Sequence, residues 1–502
     1  MRGRSAGIDH EAPAAAAAPA TGMTMAGETM VFLITMLLLL WPVAINRAPF
    51  YSSDSASYIR GGELGVKTGR SIVERWLPPA AEPSAPADSA ADPKAIATDA
   101  VSRSGGARSA IYSVAAYLLR APGDSLLALV ILQAGAAAFV ISCLRRCLAP
   151  QSGLWPALGA CAAIALLTSA SWYSAYAMPD ILAGIAISAS LILTIFLERI
   201  PTGLRIVLAL LIAFAIAAHG SHLPIVVASL AAGVISGSRS GGPAGTPIVR
   251  RAAWSAAPVL LAIAAMLGAS YVAFGELSLA PKRYPIQLAR SVADGPGAWY
   301  LRDHCASDHY AICEVFGPNP PRTVRDFLWS DHGVRRRATP AQMDRIRAEE
   351  GTVVRRAALA YPAQQIGRSA TNVFLQLLEF GPRDLVFGLN MPGSEGSSPL
   401  QAADDRPRLK AFGKILIYAS FIGSLLFLAG VRRRLTRLEL AVLSVVATAL
   451  VANAAVCGIL SGVADRYQGR VAWILPAVTA MIWLRIRGRR DQPATSAKVT
   501  LA

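Results

Sequence analysis

Apolar windows of membrane-crossing length recur along this chain, and short arginine clusters punctuate them at alternate ends. In lipid an uncharged window of roughly 20 residues can satisfy its own backbone hydrogen bonds only as a helix, so each window fixes one element. The windows lie at about 30–44, 126–141, 154–173, 181–197, 204–218, 223–235, 256–274, 415–429, 438–460 and 471–484. That gives about ten spans, with 204–218 and 223–235 short enough to be read instead as one re-entrant hairpin. Composition agrees: 54% of the 502 residues are hydrophobic and only 16% charged. The mean hydropathy of +0.44 is too high for a soluble protein of this size. The expected fold class is an all-α polytopic membrane protein.

The formal net charge of +17 would suggest nucleic acid in a soluble protein. Here the arginines flank apolar windows, a topogenic pattern, and no nucleic-acid partner is expected. Placing Arg2, Arg4, Arg145, Arg146, Arg199, Arg205, Arg239, Arg250, Arg251, Arg432 to Arg434, Arg437 and Arg485 to Arg490 in the cytoplasm puts both termini there. The first window follows an Ala/Pro/Gly leader and precedes no small-residue cleavage pattern, so it reads as a retained helix. The expected organisation is a disordered cytoplasmic leader (1–28), an N-terminal membrane module (29–275), an extracytoplasmic loop domain (276–410), C-terminal membrane helices (411–486) and a cytoplasmic tail (487–502).

Four connections then share the far side: 46–125, 177–180, 219–222 and 275–410. The first holds a motif-bearing segment (50–76), an Ala/Pro/Ser/Asp linker (78–107) too poor in large apolar side chains to form a core, and an amphipathic helix over 109–119. The last carries aromatic anchors among turn signals, which predicts a small, mostly helical domain with a surface helix over 341–359 and a segment, 373–380, that docks back on the membrane. Cys305 and Cys313 have a spacing that a local disulfide can close in an oxidising compartment. Cys143, Cys147, Cys161 and Cys457 lie in or beside spans, where a thiol acts as a small apolar group.

The polar motifs concentrate on that far side. In Tyr51-Ser52-Ser53-Asp54, Asp54 can be a general base, a ligand for a divalent cation, or, with Ser53, the cap of a short helix beginning at Ser55. Asp180, in Met178-Pro179-Asp180, can pair with it across a cleft or simply cap the fourth span. Tyr58, Tyr176 and Tyr467 stand near these carboxylates, where interfacial tyrosines also occur for ordinary reasons. His219 and His222 can meet a phosphate or a metal or form a polar turn, and no neighbouring Cys or acidic residue completes a metal set. Arg466 and Arg470 oppose the positive-inside trend. They can bind a phosphate, pair with Asp465, or snorkel to headgroups. Lys282 is a further cationic spot at headgroup height, a candidate for the same phosphate or for the lipid surface. The cofactor expectation is either none or a divalent cation held at Asp54.

Together these features resemble the membrane-embedded glycosyltransferases of the C superfamily, which includes protein mannosyltransferases and lipid A aminoarabinose transferases. The resemblance rests on Tyr51-Ser52-Ser53-Asp54 after the first span, the surface helix before the second, Met178-Pro179-Asp180 after the third, and Asp465-Arg466-Tyr467 leading into a span with Pro476. It implies sugar transfer from a polyprenyl-phosphate donor to an extracytoplasmic acceptor in envelope biosynthesis. Asp54 would be the base or acceptor-positioning carboxylate, Asp180 a second acid of the cleft and Arg466 a donor-phosphate ligand. Many relatives carry two adjacent acidic residues in the first loop, whereas Asp54 stands alone. The expected partners are the lipid-linked donor and membrane lipids, in a bacterial inner membrane. Two other classes stay open: a transporter or lipid flippase, which would want ionisable groups at mid-membrane depth, and a non-catalytic envelope-assembly scaffold.

Overall fold

The computed structural model describes residues 23–76, 108–120, 125–239, 248–387 and 405–490. The 78–107 linker and most of the leader and tail lie outside them. In chain order the helices are α1 (Met25–Leu39), α2 (Trp41–Asn46), α3 (Ser53–Trp76), α4 (Ala110–Leu118), α5 (Leu127–Leu148), α6 (Leu154–Leu167), α7 (Ala170–Ser174), α8 (Asp180–Ile195), α9 (Thr202–Ala218), α10 (His222–Arg239) and α11 (Ile248–Phe274). They continue as α12 (Ile286–Asp294), α13 (Pro296–Asp308), α14 (Ala311–Phe316), α15 (Val324–Leu328), α16 (Val334–Arg337), α17 (Pro340–Ala360), α18 (Pro362–Leu378), α19 (Pro407–Val431), α20 (Arg437–Leu460), α21 (Asp465–Ala472) and α22 (Ile474–Arg490). Among the described residues the only β-type contact is an isolated bridge between Phe50 and Tyr176.

Seven described helices are long and apolar enough to cross a membrane: Met25–Asn46, Leu127–Leu148, His222–Arg239, Ile248–Phe274, Pro407–Arg434, Arg437–Leu460 and Asp465–Gly488. The other three expected windows form shorter apolar helices, α6, α8 and α9. Window 154–173 is divided because the Thr168 hydroxyl donates back to the Ile164 carbonyl at 2.6 Å and accepts the Ala170 N–H at 3.2 Å, starting α7 as a separate turn. Helix α8 has 16 residues, all buried. A helix wrapped wholly by protein need not match the bilayer thickness, and α8 is the hub about which the bundle is arranged.

Ion pairs tie the arginine-rich helix ends together at one end of the bundle. There Glu28, at the start of α1, pairs with Arg145 and with Arg146 at the end of α5. Glu198 pairs with Arg250, and Glu439 with Arg485. The first helix begins at Met25, with the Thr24 hydroxyl accepting the Gly27 N–H, so this helix starts inside the expected leader.

The opposite end carries the connecting segments. Helix α3 covers most of the 50–76 segment, whose apolar residues have helical periodicity, and is longer than the short helix that a cap at Ser53 or Asp54 would start. It runs for 24 residues and packs along α4. The contact is backbone-close at Gly62, where a Cβ would lie 2.1 Å from the Ser113 carbonyl oxygen. We expect Gly62→Val to force the two helices apart, lowering the melting midpoint through overpacking of about 1–3 kcal/mol, as read by thermal unfolding of the purified protein.

Residues 284–361 form a helical unit with its own core, which includes Leu288, Val292, Tyr300, Phe327, Ile346 and Val353. Cys305 and Cys313 are bonded, with their Cα atoms 5.6 Å apart. Helix α17 starts with a capping box between Thr339 and Gln342. Its buried Glu350 accepts the Gln287 and Leu288 N–H groups at 2.8 and 3.1 Å, so one carboxylate closes the amino end of α12. The unit is tied to the bundle through Asp294, which receives Arg290 and the Asn372 amide of α18. Beyond it, residues 380–387 lie against the bundle, with Phe387 edge-on to Phe50 and Trp172.

Candidate active site at the connected end of the bundle

The backbone bridge brings the two acidic motifs together. The Phe50 N–H donates to the Ala175 carbonyl and the Ala177 N–H donates to the Phe50 carbonyl, both at 2.9 Å. The Ser55 hydroxyl adds a bond to the Ala177 carbonyl at 3.1 Å. From the other side Gln133 of α5 donates to the Tyr176 carbonyl at 2.8 Å and accepts the Tyr112 hydroxyl at 3.0 Å. Segments 50–55 and 175–180 are thereby held as one wall.

Asp54 sits in the first turn of α3. Ser52 takes the capping position, its hydroxyl accepting the Asp54 N–H at 3.2 Å, so the Asp54 side chain does not cap the helix. It receives Arg108 at 2.5 Å on Oδ1 instead, and both side chains remain about a quarter accessible. Asp180 is 2% exposed at the start of α8. Its Oδ1 lies 3.5 Å from Arg466 Nε, so Arg466 pairs with Asp180 and not with its neighbour Asp465. Asp465 is occupied by the Arg383 N–H at 3.1 Å.

Arg470 is buried and held by neutral groups, donating to the Asn453 side-chain Oδ1 at 3.0 Å and to the Ser221 hydroxyl at 3.1 Å. The Tyr467 ring lies under the guanidinium groups of both Arg466 and Arg470, at 5.4 and 5.8 Å, and its hydroxyl bonds Ser461. The neighbouring Gly469 is what admits the Tyr173 hydroxyl, which would lie 2.4 Å from a Cβ there.

The histidines form the turn between α9 and α10 and also face this cluster. The Ser221 N–H donates to His219 Nδ1 at 3.2 Å, which assigns that nitrogen as the acceptor and puts the neutral ring's proton on Nε2. His222 is fully buried with Nδ1 2.7 Å from the Ala215 carbonyl, so Nδ1 carries the proton and Nε2 is a bare acceptor without a protein partner. Burial, then the guanidinium groups of Arg470, Arg466 and Arg108, push the His219 imidazole down to about 3. The unfolded chain binds this proton near pH 6.5 and the folded one does not, so stability is full above pH 6.5 and falls as pH drops toward 3. We expect His219→Asn to flatten the decline in melting midpoint between pH 6.5 and 5, removing a penalty of about 2 kcal/mol at the lower pH.

Tyr58 is buried one turn after Asp54, edge-on to Tyr112 at 4.9 Å. Burial holds its phenol above the usual range, with Arg108 opposing and Asp54, Asp180 and Arg466 all within electrostatic reach. Burial likewise pushes Tyr176 up to about 12, against the pull of Arg466. Both are therefore neutral hydrogen-bonding groups.

Asp54, Asp180, Arg466, Arg470, Tyr58, Tyr176, Tyr467, His219 and His222 thus converge. Lys282 does not join them: it is held by Glu276 at 3.3 Å and Asp344 at 3.4 Å in the segment next to the separate helical unit. Arg108 and Asn453 are the members that sequence reasoning missed. Asn453, an amide inside an apolar window, was a legible signal, because an amide in a span is expensive unless it bonds. Arg108, at the far end of a featureless linker, gave none. Three guanidinium groups face two carboxylates, and Arg108 Nε, Arg466 Nε, Asp180 Oδ1 and His222 Nε2 have no hydrogen-bond partner within the protein. Such an arrangement suits a small anion bearing hydrogen-bonding oxygens. Among the described residues no group of three or more His, Cys, Asp or Glu side chains is placed to hold a metal ion. No family model, curated protein or solved structure matches this chain.

Proposed function

We propose that the chain is a multi-pass membrane glycosyltransferase that moves a sugar from a polyprenyl-phosphate donor to an extracytoplasmic acceptor. On this reading all ten apolar helices cross a bacterial inner membrane, the arginine-rich end faces the cytoplasm, and the cluster and the 284–361 unit lie outside. The observation that carries the reading is the net-positive cluster in which Arg108 Nε, Arg466 Nε, Asp180 Oδ1 and His222 Nε2 have no hydrogen-bond partner within the protein.

The chemistry follows from charge. Arg466 and Arg470 neutralise the donor phosphate as the sugar C1–O bond breaks and negative charge gathers on the leaving polyprenyl phosphate. Asp180 holds Arg466 in place. The acceptor hydroxyl lies against the Asp54 oxygen that Arg108 does not occupy and passes its proton there as its oxygen bonds to C1. The neutral histidines and tyrosines orient sugar hydroxyls without adding charge.

The test is turnover in proteoliposomes loaded with a polyprenyl-phosphate-linked sugar, following cleavage of the donor by mass spectrometry. Arg466→Ala is expected to slow donor cleavage by about 10²–10³-fold, as for loss of one group stabilising developing negative charge. Donor carried intact across the bilayer with no cleavage would replace this reading by a flippase.

A further inference from the structure

A second site lies away from the cluster. Helices α6, α19 and α22 leave between them an open groove of about 740 Å³, within the ~300–1,000 Å³ range of small-ligand pockets. Its walls are mostly apolar and mix small residues such as Gly159, Ala163 and Gly423 with large ones such as Phe427 and Trp483. Gly159 of α6 and Gly423 of α19 both face it, and a Cβ at either would meet nothing within 4 Å. In membrane bundles small residues ordinarily let helices close on each other. Here the two glycines face open space instead of a neighbouring helix.

At the arginine-rich end the groove is closed by Trp483 and Arg487, the guanidinium standing over the indole at 5.4 Å. Arg487 lies roughly 25 Å from Arg470 at 1.5 Å of rise per residue, so the groove ends near the opposite membrane face from the cluster. Among the described residues no carboxylate pairs with Arg487, although Arg485 and Arg250 at the same end have theirs. A mostly apolar channel ending in a cation with no carboxylate partner among the described residues, and in a tryptophan, has the polarity of a phospholipid: acyl chain, ester level, phosphate.

We propose that this groove binds one anionic glycerophospholipid of the leaflet at the arginine-rich end. One acyl chain lies past Gly159 and Gly423, the ester carbonyls sit at the height of Trp483, and the phosphate pairs with Arg487. The site is separate from the transferase reading and stands or falls without it.

The full-length protein, purified in detergent, is titrated with phosphatidylglycerol or phosphatidylcholine of the same acyl chains, and bound lipid is counted by native mass spectrometry. Wild type is expected to retain phosphatidylglycerol about fivefold better, the difference one basic residue makes at an anionic lipid surface. Arg487→Gln should equalise the two lipids and Arg487→Lys should keep the preference. Gly159→Phe combined with Gly423→Phe should fill the groove and abolish retention of both while the melting midpoint holds or rises. An unchanged preference in Arg487→Gln overturns the proposal, as does full lipid retention in the glycine double variant. Displacement of phosphatidylglycerol by equimolar polyprenyl phosphate, or protection by inorganic phosphate alone, overturns it too, by assigning the groove to another ligand.

Discussion

On the transferase reading we propose, Asp54→Asn is expected to lower sugar transfer by about 10²–10⁴-fold, the usual contribution of a positioned general base, while leaving the amount of protein in the membrane unchanged. Asparagine keeps the shape of the side chain and an oxygen for Arg108, which approaches Asp54 at 2.5 Å, but it cannot take a proton. The Ser52 cap and the Ser55 bond that fix the first turn of α3 do not involve the carboxylate. Measured together, donor cleavage and protein abundance separate the roles. A variant that transfers sugar at the wild-type rate would leave Asp54 as only the partner of Arg108, and the base would have to be sought elsewhere in the cluster.

The second large effect concerns stability at the other end of the bundle. Arg145 is fully buried, and Glu28 is its only carboxylate partner among the described residues. Ser152 adds one neutral acceptor at 3.0 Å. Glu28→Ala leaves a desolvated guanidinium without countercharge, which costs about 3–5 kcal/mol. Thermal unfolding in detergent should show the loss directly. The double replacement Glu28→Leu with Arg145→Leu should recover most of it, because removing both charges removes the desolvation cost together with the attraction. Should the double variant be no better than the single one, packing around Arg145 and not the charge pair would hold that end together.

These two sites differ in how far the sequence discloses them. Arg145 and Arg146 are legible as a cluster at the end of a span, yet Glu28 falls within the expected leader, because a single acidic residue before an apolar window has no pattern of its own. Asp54 and Asp180 stand out as carboxylates beside spans. Their separation in space was not legible, since it depends on the Phe50–Tyr176 backbone bridge and on Gln133 bracing the second loop. Arg466 shows the same limit: its sequence neighbour Asp465 looks like its partner, but α21 turns the two side chains to different sides, one to Asp180 and the other to Arg383. Lys282 errs in the other direction, a cation at plausible height that nearby carboxylates have already taken.

The sequence by itself determined the class of solution: windows this apolar must be helices, and arginine at alternate ends orders them, because both follow from the cost of unpaired backbone and charge in lipid. Tertiary structure decided what the helices make. Only packing could bury the whole of α8, since a short apolar window looks the same whether it faces lipid or protein. Only the fold could gather Asp54, Arg108, Asp180, His222, Asn453 and Arg470 into one cluster, for their meeting depends on contacts between segments hundreds of residues apart that no local spacing encodes.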